Sequence, residues 1–225
     1  AIIGAGINGL IAANYLSRSG FDVHLIEKKS RVGGACVSDT ALINGSHYEY
    51  ALGASVLGLM QKFVFEQTGL SNRIKTYVPM KPKLVFFPGD KKPTKIFRNP
   101  EELDYELSQK WGEKGNVSAF RYDESKIIEF LQEGYYKAEI PTIEDAIQSL
   151  GNELTDLWIK GDAQTLLDHY FTSERTKTYM AMTVSESGPV SLHDPYSAFT
   201  LPLMDSGSIF EGYYGFVKGG IWKVT

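Results

Sequence analysis

Apolar and polar positions follow three successive rhythms along the chain. Ala1-Ile2-Ile3 is the end of an apolar strand, and the glycine-rich run Gly4-Ala5-Gly6-Ile7-Asn8-Gly9 follows at once. Leu10 to Ser19 then has helical spacing, with Ile7, Leu10, Ile11 and Asn14 to Leu16 forming one face and Gly20 as the stop. Phe21 to Ile26 alternates and is rich in β-branched and aromatic residues, which predicts a second strand. Ala41 to Leu59 contains the run Tyr48-Glu49-Tyr50-Ala51-Leu52-Gly53-Ala54-Ser55, and Met60 to Thr68 reads as a helix closed by Gly69. Lys83 to Phe87 and Thr94 to Phe97 predict two strands of a hairpin, joined by Pro88 to Pro93.

The third rhythm is helical. Asn99 reads as an N-cap, Pro100 as the first helical residue and Glu102 as the closing member of a capping box. Leu103, Leu107 and Trp111 would form the buried stripe. From Val117 to about Glu186 the spacing stays helical. Ile127, Leu131 and Tyr135 share one face, and Pro141-Thr142 opens a segment with Ile143, Ile147 and Leu150. Leu154, Leu157 and Trp158 come next, then a stripe of Leu166, Leu167, Tyr170 and Phe171. Thr172 or Ser173 caps a last helix through Met180 and Met182, a stripe that reads as core packing or the lining of an apolar tunnel.

The strand, glycine run, helix and second strand at the amino terminus form a βαβ dinucleotide fingerprint, with Glu27 at the end of the second strand, 18 residues after Gly9. Each residue type has a physical task. Gly4 permits the tight turn, Gly6 lets a pyrophosphate approach the backbone, and Gly9 lets helix and strand pack closely. The helix start offers unpaired N–H groups and a positive dipole end to phosphates. Glu27 can accept hydrogen bonds from both ribose hydroxyls and would repel a 2′-phosphate, which favours FAD or NAD over NADP.

The continuation Lys28-Lys29-Ser30-Arg31-Val32-Gly33-Gly34 resembles the FAD-binding superfamily of amine oxidases, phytoene desaturases and GDP-dissociation inhibitors. That resemblance implies that Arg31 and the backbone at Gly33 and Gly34 approach the FAD phosphates and ribityl chain, and that Gly53 lies near the flavin ring. Gly-Ile-Asn-Gly-Leu at residues 6–10 and Gly33-Gly34-Ala35 look like the phytoene desaturase branch, as do Asp168 to Arg175 and the glycine-aromatic run from Gly212 to Gly220. The candidate cofactor set is therefore Gly4, Gly6, Ile7, Asn8, Gly9, Glu27, Lys28, Arg31, Gly33, Gly34, Ala35 and Gly53. Trp222 departs from the branch, where a small residue is usual.

Composition narrows the chemistry. The 225 residues are 43% hydrophobic and 22% charged, enough for a packed core. A net charge of −4 gives no electrostatic case for nucleic acid. The one cysteine, Cys36, excludes a dithiol reductase and a cysteine metal cluster, and it reads as a small buried residue. His24, His47, His169 and His193 share no ligand spacing, so no metal is expected and no catalytic acid or base stands out. No apolar run reaches membrane-span length.

The expected fold is α/β. A Rossmann-like, three-layer FAD-binding domain (residues 1–75) is followed by an inserted, largely helical α+β substrate domain (76–218) and the start of a return segment (219–225). The three-residue first strand and missing initial Met predict a fragment of a longer protein. The resemblance implies an FAD-dependent oxidoreductase taking hydride from an apolar, isoprenoid-type substrate. It implies a cytoplasmic protein and leaves room for peripheral contact with a membrane. Two alternatives remain at this stage: a prenyl-binding module of the GDP-dissociation-inhibitor type, and an NAD-dependent dehydrogenase.

Overall fold

The computed structural model describes residues 1–186, 188–210, 213 and 215–225. Gly212 and Tyr214 of the glycine-aromatic run lie outside them. The chain forms two compact units, residues 1–78 with 208–225, and residues 79–207.

In the first unit, β1 (Ile2–Ile3) pairs in parallel with β2 (Leu25–Ile26), and α1 (Ile7–Arg18) connects them. The helix begins three residues earlier than its apolar spacing suggests, so its first turn lies inside the glycine run. The second strand is shorter than expected; Phe21, which starts the alternating stretch, is exposed. β3 (Ser38–Ile43) and β4 (Ser46–Ala51) form an antiparallel hairpin. Asn44 and Gly45 both have positive φ, 51° and 80°, the geometry of a tight hairpin turn. Two short helices, α2 (Lys62–Gln67) and α3 (Leu70–Arg73), flank Gly69. β5 (Thr76–Tyr77) pairs with β8 (Phe216–Val217), tying the late return to the early chain. The core of this unit gathers Leu57, Met60, Val217, Ile221 and Val224. Gly219-Gly220 leads into a single 3-10 turn, Ile221–Val224, and the Trp222 ring lies against Gly220, where a Cβ would come within 2.2 Å of it.

The second unit starts with the hairpin of β6 (Lys83–Val85) and β7 (Thr94–Ile96). In α4 (Pro100–Trp111) the Asn99 carboxamide accepts the Glu102 N–H at 2.9 Å, and Leu103, Leu107 and Trp111 are buried. The reciprocal capping box occurs instead at α6 (Ile143–Leu154), where Thr142 and Asp145 bond each other's backbone N–H. α5 (Val117–Lys137) buries Ile127 and Leu131, while Tyr135 lies at the margin. Gly151, at φ 81°, breaks α6, and a π-helical turn at Thr155–Lys160 follows. α7 (Ala163–Tyr170) buries Leu166, Leu167 and Tyr170. In α8 (Glu174–Glu186) Met180 is buried but Met182 is exposed, so the methionine stripe is only half core. α9 (Thr200–Ser206) completes the unit.

Ser173 stands at the cap position of α8, as the sequence suggests, and its carbonyl accepts the Lys177 N–H at 3.0 Å, but the hydroxyls of Thr172 and Ser173 bond elsewhere. The Thr172 hydroxyl binds the Glu113 carboxylate at 2.9 Å, and the Ser173 hydroxyl binds the Trp111 carbonyl at 2.9 Å. Glu113 is a buried hub. It accepts the backbone N–H groups of Lys114 (2.9 Å), Gly115 (2.7 Å), Thr172 (2.8 Å) and Ser173 (3.1 Å). Burial alone would raise its pKa. These donors, the Thr172 backbone foremost, outweigh that and hold it down to about 2. A depressed carboxylate contributes stability that is full above the unfolded value of 4.5 and is lost as pH falls towards 2. Glu113→Ala should therefore cost on the order of 3 kcal/mol at neutral pH. Its denaturation midpoint should also fall less between neutral and acidic pH than that of the parent, as read by urea titration.

Candidate dinucleotide site

The amino-terminal turn is held by backbone pairing on both sides. Ile2 N–H donates to the His24 carbonyl (2.8 Å) and Gly4 N–H to the Ile26 carbonyl (2.7 Å), so β1 and β2 end at the same level. Gly4 turns the chain at φ 97°. Gly6, at φ −74° and ψ 179°, caps α1 without a side-chain hydrogen bond. The first N–H groups of α1 are thus not taken up by a capping side chain, and they carry the positive end of the helix dipole.

Gly6 and Gly9 are glycine for different reasons. A Cβ on Gly9 would lie 2.0 Å from the Gly4 carbonyl oxygen and 3.5 Å from Ile2 Cγ2, so the close contact of α1 with β1 forbids one. A Cβ on Gly6 would meet only Gly34 Cα, at 3.7 Å, an ordinary contact. Nothing in the packing of the described residues requires glycine at position 6. A cradle that a Cβ would fill therefore lies open beside the helix start.

The second glycine pair sits on this turn. Gly33 N–H donates to the Ala5 carbonyl at 2.7 Å, and Gly6 and Gly33 form a parallel bridge. Gly34, at φ 60°, approaches Gly6 so closely that a Cβ would come within 2.9 Å of its Cα. Ala35 in turn lies against Gly53: Ala54 N–H donates to the Ala35 carbonyl at 2.8 Å, and a Cβ on Gly53 would be 2.6 Å from the same oxygen. Three glycine-bearing segments distant in sequence thus stack in one place.

Glu27 reaches the same turn. One carboxylate oxygen accepts the Ala5 N–H at 2.7 Å and the other the Lys29 N–H at 3.0 Å. The Lys29 and Ala5 N–H groups together lower its pKa, so it is anionic at neutral pH. Each oxygen has further acceptor capacity for a hydroxyl group. Ala5 itself is fully buried and supplies both the N–H to Glu27 and the carbonyl to Gly33. Sequence reasoning passed over it because an alanine has no polar side chain; its role is entirely in the backbone.

Other candidate positions are placed without such contacts. Asn8, Lys28 and Arg31 are exposed. Ile7 joins Leu10, Ile11, Leu70 and Thr225 around a cleft of about 280 Å³ along α1. Cys36 is half-buried, and burial pushes its thiol pKa up, which reduces its reactivity. His24 lies 3.7 Å from Asp22 at the surface, and His169 sits edge-on to Tyr170. Among the described residues there is no group of three or more His, Cys, Asp or Glu able to hold a metal ion, and no helix long and apolar enough to cross a membrane.

Residues 2–62 match the family described as "NAD(P)-binding Rossmann-like domain". The whole chain aligns with the 4,4'-diapophytoene desaturase (4,4'-diaponeurosporene-forming) of Staphylococcus haemolyticus at 25% identity, covering 44% of that protein. It also aligns with the rat pyridine nucleotide-disulfide oxidoreductase domain-containing protein 2 at 23% identity, again covering 44%. Among solved structures, a triple mutant of putrescine oxidase superposes on 99% of the chain with a TM-score of 0.51 and 20% identity, covering 46% of that chain and showing a shared fold. The chain spans a little under half the length of these relatives. Residues 2–62 thus look like an NAD(P)-binding Rossmann-like domain, and the chain as a whole is similar in sequence to a diapophytoene desaturase.

Proposed function

We propose that this chain is the dinucleotide-binding portion of an FAD-dependent oxidoreductase that removes hydride from an apolar, isoprenoid-type substrate. The observation that carries the reading is the open cradle at Gly6, next to a helix start without a side-chain cap and bordered by Gly33-Gly34. The residues present fit an ADP-ribose group. The N–H groups at the start of α1 would bind the pyrophosphate, with Arg31 adding positive charge nearby. Glu27 would accept the ribose hydroxyls, and its anionic state disfavours a 2′-phosphate. Gly33, Gly34, Ala35 and Gly53 would let the rest of the cofactor pass close to the backbone. Flavin supplies the hydride acceptor when bound.

The sequence relative named for 4,4'-diapophytoene supports an apolar substrate. The first compact unit would hold the cofactor and the second, residues 79–207, would serve the substrate. A substrate of this class partitions into lipid, so the same reading has the protein touching a membrane surface peripherally.

Glu27→Gln tests the ribose contact. Losing one charged hydrogen-bond acceptor should weaken FAD binding by about tenfold with little change in thermal stability. Calorimetric titration with FAD and with NADH reads the effect. Unchanged FAD affinity in the variant, or saturation by NADH with no response to FAD, would remove the reading.

A further inference from the structure

We infer that the β6–β7 hairpin is the surface by which the second unit docks on an anionic phospholipid layer. The inference deepens the proposed membrane contact, but it rests on the hairpin's own chemistry and needs no flavin. Residues 80–98 carry six basic residues (Lys81, Lys83, Lys91, Lys92, Lys95, Arg98) against one acidic residue, Asp90, in a protein whose net charge is −4. This stretch is therefore charged oppositely to the chain as a whole.

Alternation along the strands divides the hairpin into two faces. Val85, Phe87, Ile96 and Phe97 pack into the core of the second unit. Leu84 and Phe86 point the other way and are 59% and 61% exposed, and Met80, just before the hairpin, is 67% exposed. Lys95 is the register partner of Leu84 and lies between the buried Thr94 and Ile96, so it shares the outward face. Lys91 and Lys92, in the turn, are also exposed, whereas the Lys81 ammonium lies over the Phe97 ring, 5.4 Å from its centre. Exposed apolar side chains sharing a face with Lys95, next to a turn that carries Lys91 and Lys92, suit the boundary between headgroups and acyl chains: the apolar groups enter and the ammonium groups meet lipid phosphates.

The turn of the hairpin is tied to α8. Asp90 accepts the Phe87 N–H at 3.0 Å and pairs with Arg175 of α8 at 2.9 Å, while the Arg175 guanidinium also lies over the Phe87 ring. The one acidic residue of the stretch is thereby engaged within the unit. The carboxylates nearest in sequence, Glu101, Glu102, Asp104 and Glu106, belong to α4. Among them the Glu106 carboxylate accepts the Lys95 N–H at 3.1 Å. A nucleic acid would meet the same lysines but would leave Leu84 and Phe86 in water, so a lipid surface fits better.

Co-sedimentation with vesicles tests the inference. The chain should sediment with phosphatidylcholine vesicles containing about one third phosphatidylglycerol, and release as salt is raised. Each surface lysine contributes about fivefold to partitioning, so Lys91→Ala with Lys92→Ala should reduce it about 25-fold. Leu84→Ser with Phe86→Ser should reduce it through the apolar contribution instead. All four side chains are exposed, so far-UV circular dichroism and melting should match the parent. Failure of the parent to sediment, equal sedimentation of the variants, or retention on heparin without vesicle binding would each overturn the inference. FAD titration of the same samples separates the two readings. Vesicle binding without FAD binding sinks only the flavin assignment, and FAD binding without vesicle binding sinks only this one.

Discussion

Gly6→Ala is expected to fold as the parent does and yet bind FAD about 100-fold more weakly, whereas Gly9→Ala is expected to damage both folding and binding. The contrast follows from the space around each residue. At Gly6 the backbone is extended and the nearest atom to an added methyl is 3.7 Å away, so stability should change by less than about 1 kcal/mol. The methyl would occupy the room through which a pyrophosphate approaches the helix start. At Gly9 the added carbon would sit 2.0 Å from the Gly4 oxygen, so α1 must move off β1 or the turn must open. Overpacking of this kind costs roughly 1–3 kcal/mol or more, and the N–H groups at the helix start lose their place. Melting curves and FAD titrations on the two variants read the difference. Equal loss of stability in both, or unchanged FAD affinity in Gly6→Ala, would mean that position 6 faces no ligand.

Trp158→Ala should be the most damaging single change in the second unit. Trp158 is fully buried in the π-helical turn. Its ring centroid lies 4.9 Å from that of Phe120 and 5.7 Å from that of Tyr170. Its indole N–H donates to the Tyr170 hydroxyl at 3.1 Å, and that hydroxyl donates to Asp123 at 2.8 Å. Truncation would open a large cavity and remove one link of this chain. A loss of about 4 kcal/mol is expected, or roughly 10–20 °C in melting temperature. Trp158→Phe should recover much of the packing while leaving the Tyr170 oxygen without its donor. A drop below about 1 kcal/mol in Trp158→Ala would show that the aromatic cluster does not hold the helices together.

How far the sequence announced these features depends on whether a signal is local. The βαβ start was legible because its glycines, helix and Glu27 lie within 27 residues and each has a steric or electrostatic reason. The Leu103, Leu107 and Trp111 stripe was legible because its spacing matches one helix face, as were the β6–β7 strands with a Pro-Gly-Asp turn between them. The pairing of β5 with β8 had no local signal, since Thr76 and Val217 are brought together only by the fold. Glu113 was missed for a similar reason. In sequence, Gly112-Glu113-Lys114-Gly115 is a polar turn, and only the return of Thr172 and Ser173 makes its carboxylate a buried hub. Gly151 hid because an isolated glycine in a helical pattern does not by itself reveal a positive φ. At the site, Gly4, Gly6 and Gly9 stand out by type and spacing, and Gly33 and Gly34 through the resemblance to the FAD-binding superfamily. That Gly9 is demanded by packing and Gly6 is not could be seen only from the atoms around them.

The account's central claim is that the turn from Gly4 to Gly9, with Gly33-Gly34 laid against it and Glu27 beside it, receives the ADP half of FAD. The direct measurement is the visible absorbance spectrum of the purified protein after incubation with FAD and desalting. Retained flavin bands, reduced in Glu27→Gln and lost in Gly6→Ala, are the predicted result. A colourless parent with native circular dichroism would contradict it, as would flavin retained equally by all three proteins.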